Sequence, residues 1–165
     1  MTLDWTRAGA CAQEIAASWQ SESGPGGAIV LFDRDGVREA FAGGLASIEH
    51  GVPFTPQTPN RFASISKHIL AVALLRAGIP LDAPLGRWLG ELPAPLAAVE
   101  LGRALDMTGA LPDTMEAFWQ QGVPFSASLG AEEILARARL FPRLNAEPGT
   151  EMAYSNTGWR LAQAV

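Results

Sequence analysis

The chain has one lysine, one cysteine, one tyrosine and two histidines among its 165 residues, and each shortage closes off a class of function. Cys11 is alone, so no intrachain disulfide is possible, and with only His50 and His68 beside it there is no ligand set spaced for a structural zinc. No cofactor is implied. Lys and Arg total 12 against 17 Asp and Glu, a net charge of −5, which argues against a nucleic-acid groove or an anionic membrane surface. A small or neutral partner suits that balance better. No apolar run approaches the length of a membrane span. The opening "MTLDWTRAGACAQEIAASW" carries Asp4 and no apolar h-region, so it does not read as a secretory leader. The expected location is cytoplasmic, or periplasmic where a leader has been removed.

What is present suffices for one ordinary domain, with 48% of the residues hydrophobic. Over residues 4–19, Ala8, Cys11, Ile15 and Trp19 recur at spacings of three and four, which predicts an amphipathic helix lying against a sheet. "SESGPGG" breaks it, and Gly24-x-Gly26 precedes a strand instead of following one, so it reads as a turn and not as a phosphate loop. "AIVLFDRDGVREAFAGGL" gives two strands joined at Asp35-Gly36. From Ser64 to Ala77 the sequence is apolar on nearly every side, which predicts a buried helix ended by Gly78 and Pro80. Shorter helical pieces follow in "PLGRWLGEL", "AAVELGRALDM", "DTMEAFWQQ" and "AEEILARARLF", and a last helix follows "NAEPGTEMAYSN". The hairpin alone leaves a sheet edge open, so further strands are expected from outside residues 1–165.

The single lysine stands in "RFASISKHIL", three residues after Ser64, while eleven arginines supply every other basic side chain. Arginine holds its charge at any workable pH, but a lysine can lose its proton and act as a base. Helical spacing puts residues i and i+3 on one face, so Ser64 and Lys67 can meet there as an activated nucleophile. The single tyrosine, Tyr154, is followed at +2 by Asn156 in "AYSNTG". Lys67 or Tyr154 could take the serine proton, each tuning the other, and the Asn156 amide could accept from the lysine while donating to a substrate carbonyl. The Ser64 backbone N–H at the helix opening could face a developing oxyanion. The plainer readings make Ser64 a helix cap, His68 a packing or surface residue and the five tryptophans core, with no chemistry for Glu147 or Glu151.

"GPGGAIVLFDRDG", "RFASISKHILAVALL" and "EPGTEMAYSNTGWRLAQAV", in that order, resemble the N-terminal half of the penicillin-recognising serine hydrolases. That group holds class C beta-lactamases, D,D-peptidases, D-aminopeptidases and related esterases. The resemblance implies an α/β (α+β) fold of the beta-lactamase/transpeptidase type, an antiparallel sheet flanked by helices plus an all-helical subdomain. Residues 1–60 would give the helix and hairpin, and 61–165 the catalytic helix and helical subdomain, of one domain. It further implies that Ser64 is acylated, that Lys67 and Tyr154 transfer its proton, and that Asn156 positions substrate. The bond cleaved would be an amide, ester or beta-lactam, with D-aminopeptidases and their beta-lactamase-like relatives the most similar members. Two departures stand out. Thr108-Gly109 only loosely matches the polar Ser-Gly run of relatives, and the family's third motif, Lys-x-Gly or His-x-Gly, occurs nowhere in the chain. A C-terminal fragment or second chain is therefore the expected partner. The alternative is a non-catalytic remnant that binds penicillin, a peptide or a partner protein.

Overall fold

Asp4 opens the first helix, α1 (Trp5–Ser18), where its carboxylate accepts the Arg7 N–H at 3.0 Å and satisfies one of the orphan donors of the first turn. The computed structural model describes residues 3–19 and 23–165 and divides into two units, Met1–Arg61 and Phe62–Val165. In the first unit α1 lies on a hairpin of β1 (Gly27–Asp33) and β2 (Gly36–Gly43), paired antiparallel from Gly27↔Gly43 to Asp33↔Gly36. The buried stripe of α1 is Gly9, Ala12 and Ala16, whereas Cys11 is exposed and Ile15 is 45% exposed. The expected stripe is thus rotated by one residue. Close approach explains it: the Ala16 carbonyl oxygen comes within 2.2 Å of where a Cβ on Gly43 would stand, so only small residues fit beneath the helix.

The hairpin loop is Arg34-Asp35, one residue earlier than the expected Asp35-Gly36, and Gly36 opens β2 at φ +128°. The Asp33 carboxylate accepts the Asp35 N–H and pairs with Arg38, and these contacts hold its carboxyl below the usual carboxylate range. Of the expected break at 21–27, Ser21 and Glu22 lie outside the described residues. The Gly24–Gly26 segment flanks Leu45, with Gly26 N–H to Leu45 O at 2.8 Å and Leu45 N–H to Gly24 O at 3.1 Å. A second antiparallel pair, β3 (Leu45–Ser47) and β4 (Val52–Pro53), is too short to show a period in sequence.

The second unit is helical. A 3₁₀ turn at Ala63–Ile65 leads into α2 (Ser66–Arg76), which ends in a Schellman motif: Ile79 N–H to Leu74 O and Gly78 N–H to Leu75 O, both 3.1 Å, with Gly78 at φ +67°. After a 3₁₀ turn at Leu85–Arg87 come α3 (Ala94–Ala97), α4 (Leu101–Leu105), α5 (Thr114–Gln120), α6 (Ala131–Ala138) and α7 (Asn156–Gln163). "AAVELGRALDM" is not one helix, because Val99 O and Leu101 N–H bond Leu85 and Ala83 and draw Glu100 into an isolated bridge with Pro84. Leu85, Leu96, Val99, Leu101, Leu111 and Leu161 form the centre of the core. The buried helix expected at 64–77 is corrected here. Only Leu74 is buried along α2, while Ile69, Val72 and Leu75 are 68%, 54% and 61% exposed, because the elements of this unit pack against one side of it only. No helix among the described residues is long and apolar enough to cross a membrane.

Candidate active site

Ser64 sits in the 3₁₀ turn before α2, and Lys67 stands one turn on, so their side chains share a face. Lys67 Nζ donates to Ser64 Oγ at 3.0 Å. The residue before Ser64, Ala63, holds φ +46°, a left-handed conformation that costs a non-glycine residue about 1–2 kcal/mol. Ser66 Oγ closes the turn by donating to Ala63 O.

Tyr154 and Asn156 arrive from the other side, at the entry to α7. The run before them is fixed by the loop at 106–110: Gly149 N–H donates to Thr108 O at 2.8 Å and Ala153 N–H to Met107 O at 3.1 Å. Met107 and Ala110 both have positive φ, and Asp106 Oδ1 accepts from the Thr108 N–H and hydroxyl, so the loop is a shaped turn whose carbonyls face the 145–153 run. Thr108-Gly109 thus supports the site from outside it. α7 itself is anchored deeply, with Thr157, Gly158, Leu161 and Ala162 buried.

All four residues singled out from the sequence converge. Lys67 Nζ donates to Tyr154 OH at 2.9 Å and to Asn156 Oδ1 at 3.1 Å in addition to Ser64, and the Ser64 and Tyr154 hydroxyls lie 2.6 Å apart. Three acceptors therefore surround the three hydrogens of one ammonium. That hydrogen bond from Lys67, followed by the one from Ser64, holds the Tyr154 phenol below its usual range against the opposing effect of burial. Ser64 and Tyr154 are solvent-exposed, and Lys67 is half-buried. His68 is exposed, as are Glu147 and Glu151.

One participant went unread. Asp113 is 8% exposed; its Oδ1 accepts the Met115 and Glu116 N–H groups at the start of α5, and its Oδ2 accepts the Asn156 backbone N–H and, at 3.3 Å, Asn156 Nδ2. Beside it, Thr114 N–H donates to Thr157 Oγ1 at 2.8 Å, both residues being fully buried. In sequence, "LPDT" shows only a helix cap. A cavity of about 750 Å³ opens beside Ser64, Lys67 and Asn156, walled by apolar groups that include Leu70, Met115 and Trp159.

The Beta-lactamase family model matches residues 11–165, and the chain belongs to that family. It is 30% identical over 145 residues to a D-aminopeptidase of Gluconobacter oxydans, a match covering 86% of this chain and 27% of that protein. Among solved structures it is similar to an octameric penicillin-binding protein homologue from Pyrococcus abyssi, with TM-score 0.70, 26% identity, and coverage of 98% of this chain and 38% of that one. It is also similar to the D-amino acid amidase of Ochrobactrum anthropi complexed with L-phenylalanine amide, with TM-score 0.67, 26% identity, and coverage of 96% and 43%. The fold is therefore beta-lactamase/transpeptidase-like. The chain spans under half the length of each of these relatives.

Proposed function

We propose that residues 1–165 are part of one beta-lactamase-like domain of a serine hydrolase that works through an acyl-enzyme on Ser64. The observation that carries this reading is the closed triangle of Ser64 Oγ, Lys67 Nζ and Tyr154 OH, with sides of 2.6, 2.9 and 3.0 Å. Lys67 directs all its hydrogens at acceptors, so it serves as the cation that keeps Tyr154 ready to accept a proton. Ser64 Oγ attacks the substrate carbonyl as its proton passes to the Tyr154 oxygen. The carbon–nitrogen or carbon–oxygen bond then breaks, the leaving group takes that proton, and water later releases the acyl group. Asn156 gives one amide hydrogen to Asp113 and has the second for a substrate carbonyl. The Ser64 N–H, at the opening of its turn, is one oxyanion donor.

The substrate class we favour is the amide or ester of a D-amino acid with an apolar side chain. The D-aminopeptidase and D-amino acid amidase likenesses support the acyl part, and the apolar cavity wall supports its side chain. Completion of the site calls for a further segment with a Lys-x-Gly or His-x-Gly strand. The exposed apolar face of α2 and the share of each relative left uncovered support such a companion, on the same polypeptide or a second chain. The test is exposure of the intact protein to a fluorophosphonate or labelled penicillin, followed by peptide mass mapping. An adduct on the Ser64 peptide is expected. A label on another serine, or none, would overturn the assignment and favour a binding remnant.

A further inference from the structure

Asp113 belongs to neither sequence motif, yet four N–H groups converge on its carboxylate, two of them from Asn156. We propose that Asp113 is a positioning residue: by accepting from the Asn156 backbone and amide nitrogens, it fixes which way the Asn156 amide faces, and so holds Lys67 between Ser64 and Tyr154. This rests on the serine-hydrolase reading above.

The argument is one of donors and acceptors. An ionised carboxylate only accepts, and an ammonium only donates, while a primary amide does both at opposite ends. Placed between Asp113 and Lys67, the Asn156 amide has one orientation that satisfies all three: Nδ2 toward Asp113 at 3.3 Å and Oδ1 toward Lys67 at 3.1 Å. The flipped amide would set carbonyl oxygen against carboxylate and NH₂ against ammonium. With Oδ1 taking one lysine hydrogen, the other two are aimed at Ser64 and Tyr154. Because the same carboxylate caps α5 and receives the first N–H of α7, it also fixes the distance between those helices where the amide sits. Asp113 is 8% exposed and Asn156 half-buried, which limits competition from water at that contact.

The test compares Asp113→Asn, Asn156→Ala and the double variant of the intact protein. The readouts are the rate of Ser64 labelling by a fluorophosphonate and kcat/KM on a D-amino-acid amide, with thermal melts alongside. Misplacement of catalytic groups by about 1 Å costs about 10²-fold, so Asp113→Asn is expected to lose 10- to 100-fold in labelling rate. In the Asn156→Ala background the same change should cost at least about threefold less, since the side-chain contact is already gone and only the backbone N–H of residue 156 still reaches the carboxylate there. Equal losses in both backgrounds, or wild-type labelling in Asp113→Asn, would overturn the positioning role. Should Asp113→Asn not fold, Asp113→Ser decides: its hydroxyl still caps α5 but leaves no oxygen in the place of Oδ2, so it should label at least about tenfold more slowly than wild type, and wild-type labelling would overturn the proposal. Absence of any Ser64 adduct in the wild-type protein would instead overturn the serine-hydrolase reading beneath it.

Discussion

Helix α7 buries Thr157, Gly158, Leu161 and Ala162, whereas α2 buries only Leu74 and leaves Ile69, Val72 and Leu75 largely in solvent. Both helices bring residues to one site, α2 Lys67 and α7 Asn156, but they are held differently. The Asn156 end is locked from beneath by Asp113 and by the buried Thr114–Thr157 pair, a polar clamp with matched donors and acceptors. The Ser64 end rests on a turn with Ala63 at positive φ and on a helix with one open apolar face. A site built this way has one half set by the packing of residues 62–165 themselves, and another half whose outer surface invites a covering element. Soluble proteins seldom leave such a face open.

The most severe way to break the comparison is at its reactive tip. Ser64→Ala should lower turnover of the intact protein by about 10⁴-fold or more, the scale on which nucleophile removal acts, while melts stay within about 0.5 kcal/mol of wild type because Ser64 is exposed. Next comes the shared cation. Lys67→Arg should lose about 10²- to 10⁴-fold in kcat despite keeping the charge, since a planar fork cannot point at three acceptors arranged around one nitrogen. With Tyr154 as base, kcat/KM should rise as pH climbs through the lowered phenol pKa and level off above it. Lys67→Ala removes the leading cause of that lowering, so its rising limb should move to higher pH in a pH–rate profile.

Smaller effects separate the two halves by stability. A Cβ at Gly158 would stand 2.4 Å from the Ala104 carbonyl oxygen, so Gly158→Ala should cost about 1–3 kcal/mol in urea melts by pushing α7 off α4. On the α2 side, Val72→Thr should change the stability of residues 1–165 by no more than about 0.5 kcal/mol, as an exposed substitution does. The same change in the intact protein should cost about 1–3 kcal/mol if a companion segment covers that face. Equal small effects in both would argue that the face stays open.

Ser64, Lys67, Tyr154 and Asn156 could be read from sequence because each pair is local: three residues apart on a helical face, and two apart at a helix entry. That the pairs meet follows from family order, not from spacing. Asp113 could not be found in that way, since its cap of α5 is a local signal and its hold on Asn156 spans 43 residues. The stripe of α1 was misplaced because glycine and alanine carry little hydrophobic signal, although their smallness is what lets the helix meet the hairpin. α2 misled in the opposite sense. Its composition reports the environment it is suited to, while its exposure reports the neighbours that residues 1–165 supply.

The three-way cage around Lys67 is also an instrument. Because residues 1–165 hold no other lysine, ¹⁵N-labelled lysine would give one side-chain nitrogen signal from this part of the protein, and that signal would come from the centre of the site. An ammonium whose hydrogens all meet acceptors should exchange them slowly with solvent, whereas an ordinary surface lysine loses them too fast to observe. Adding a substrate analogue or acylating Ser64 would each move that resonance, so the contacts of the lysine could be followed as the site is occupied without a reporter group.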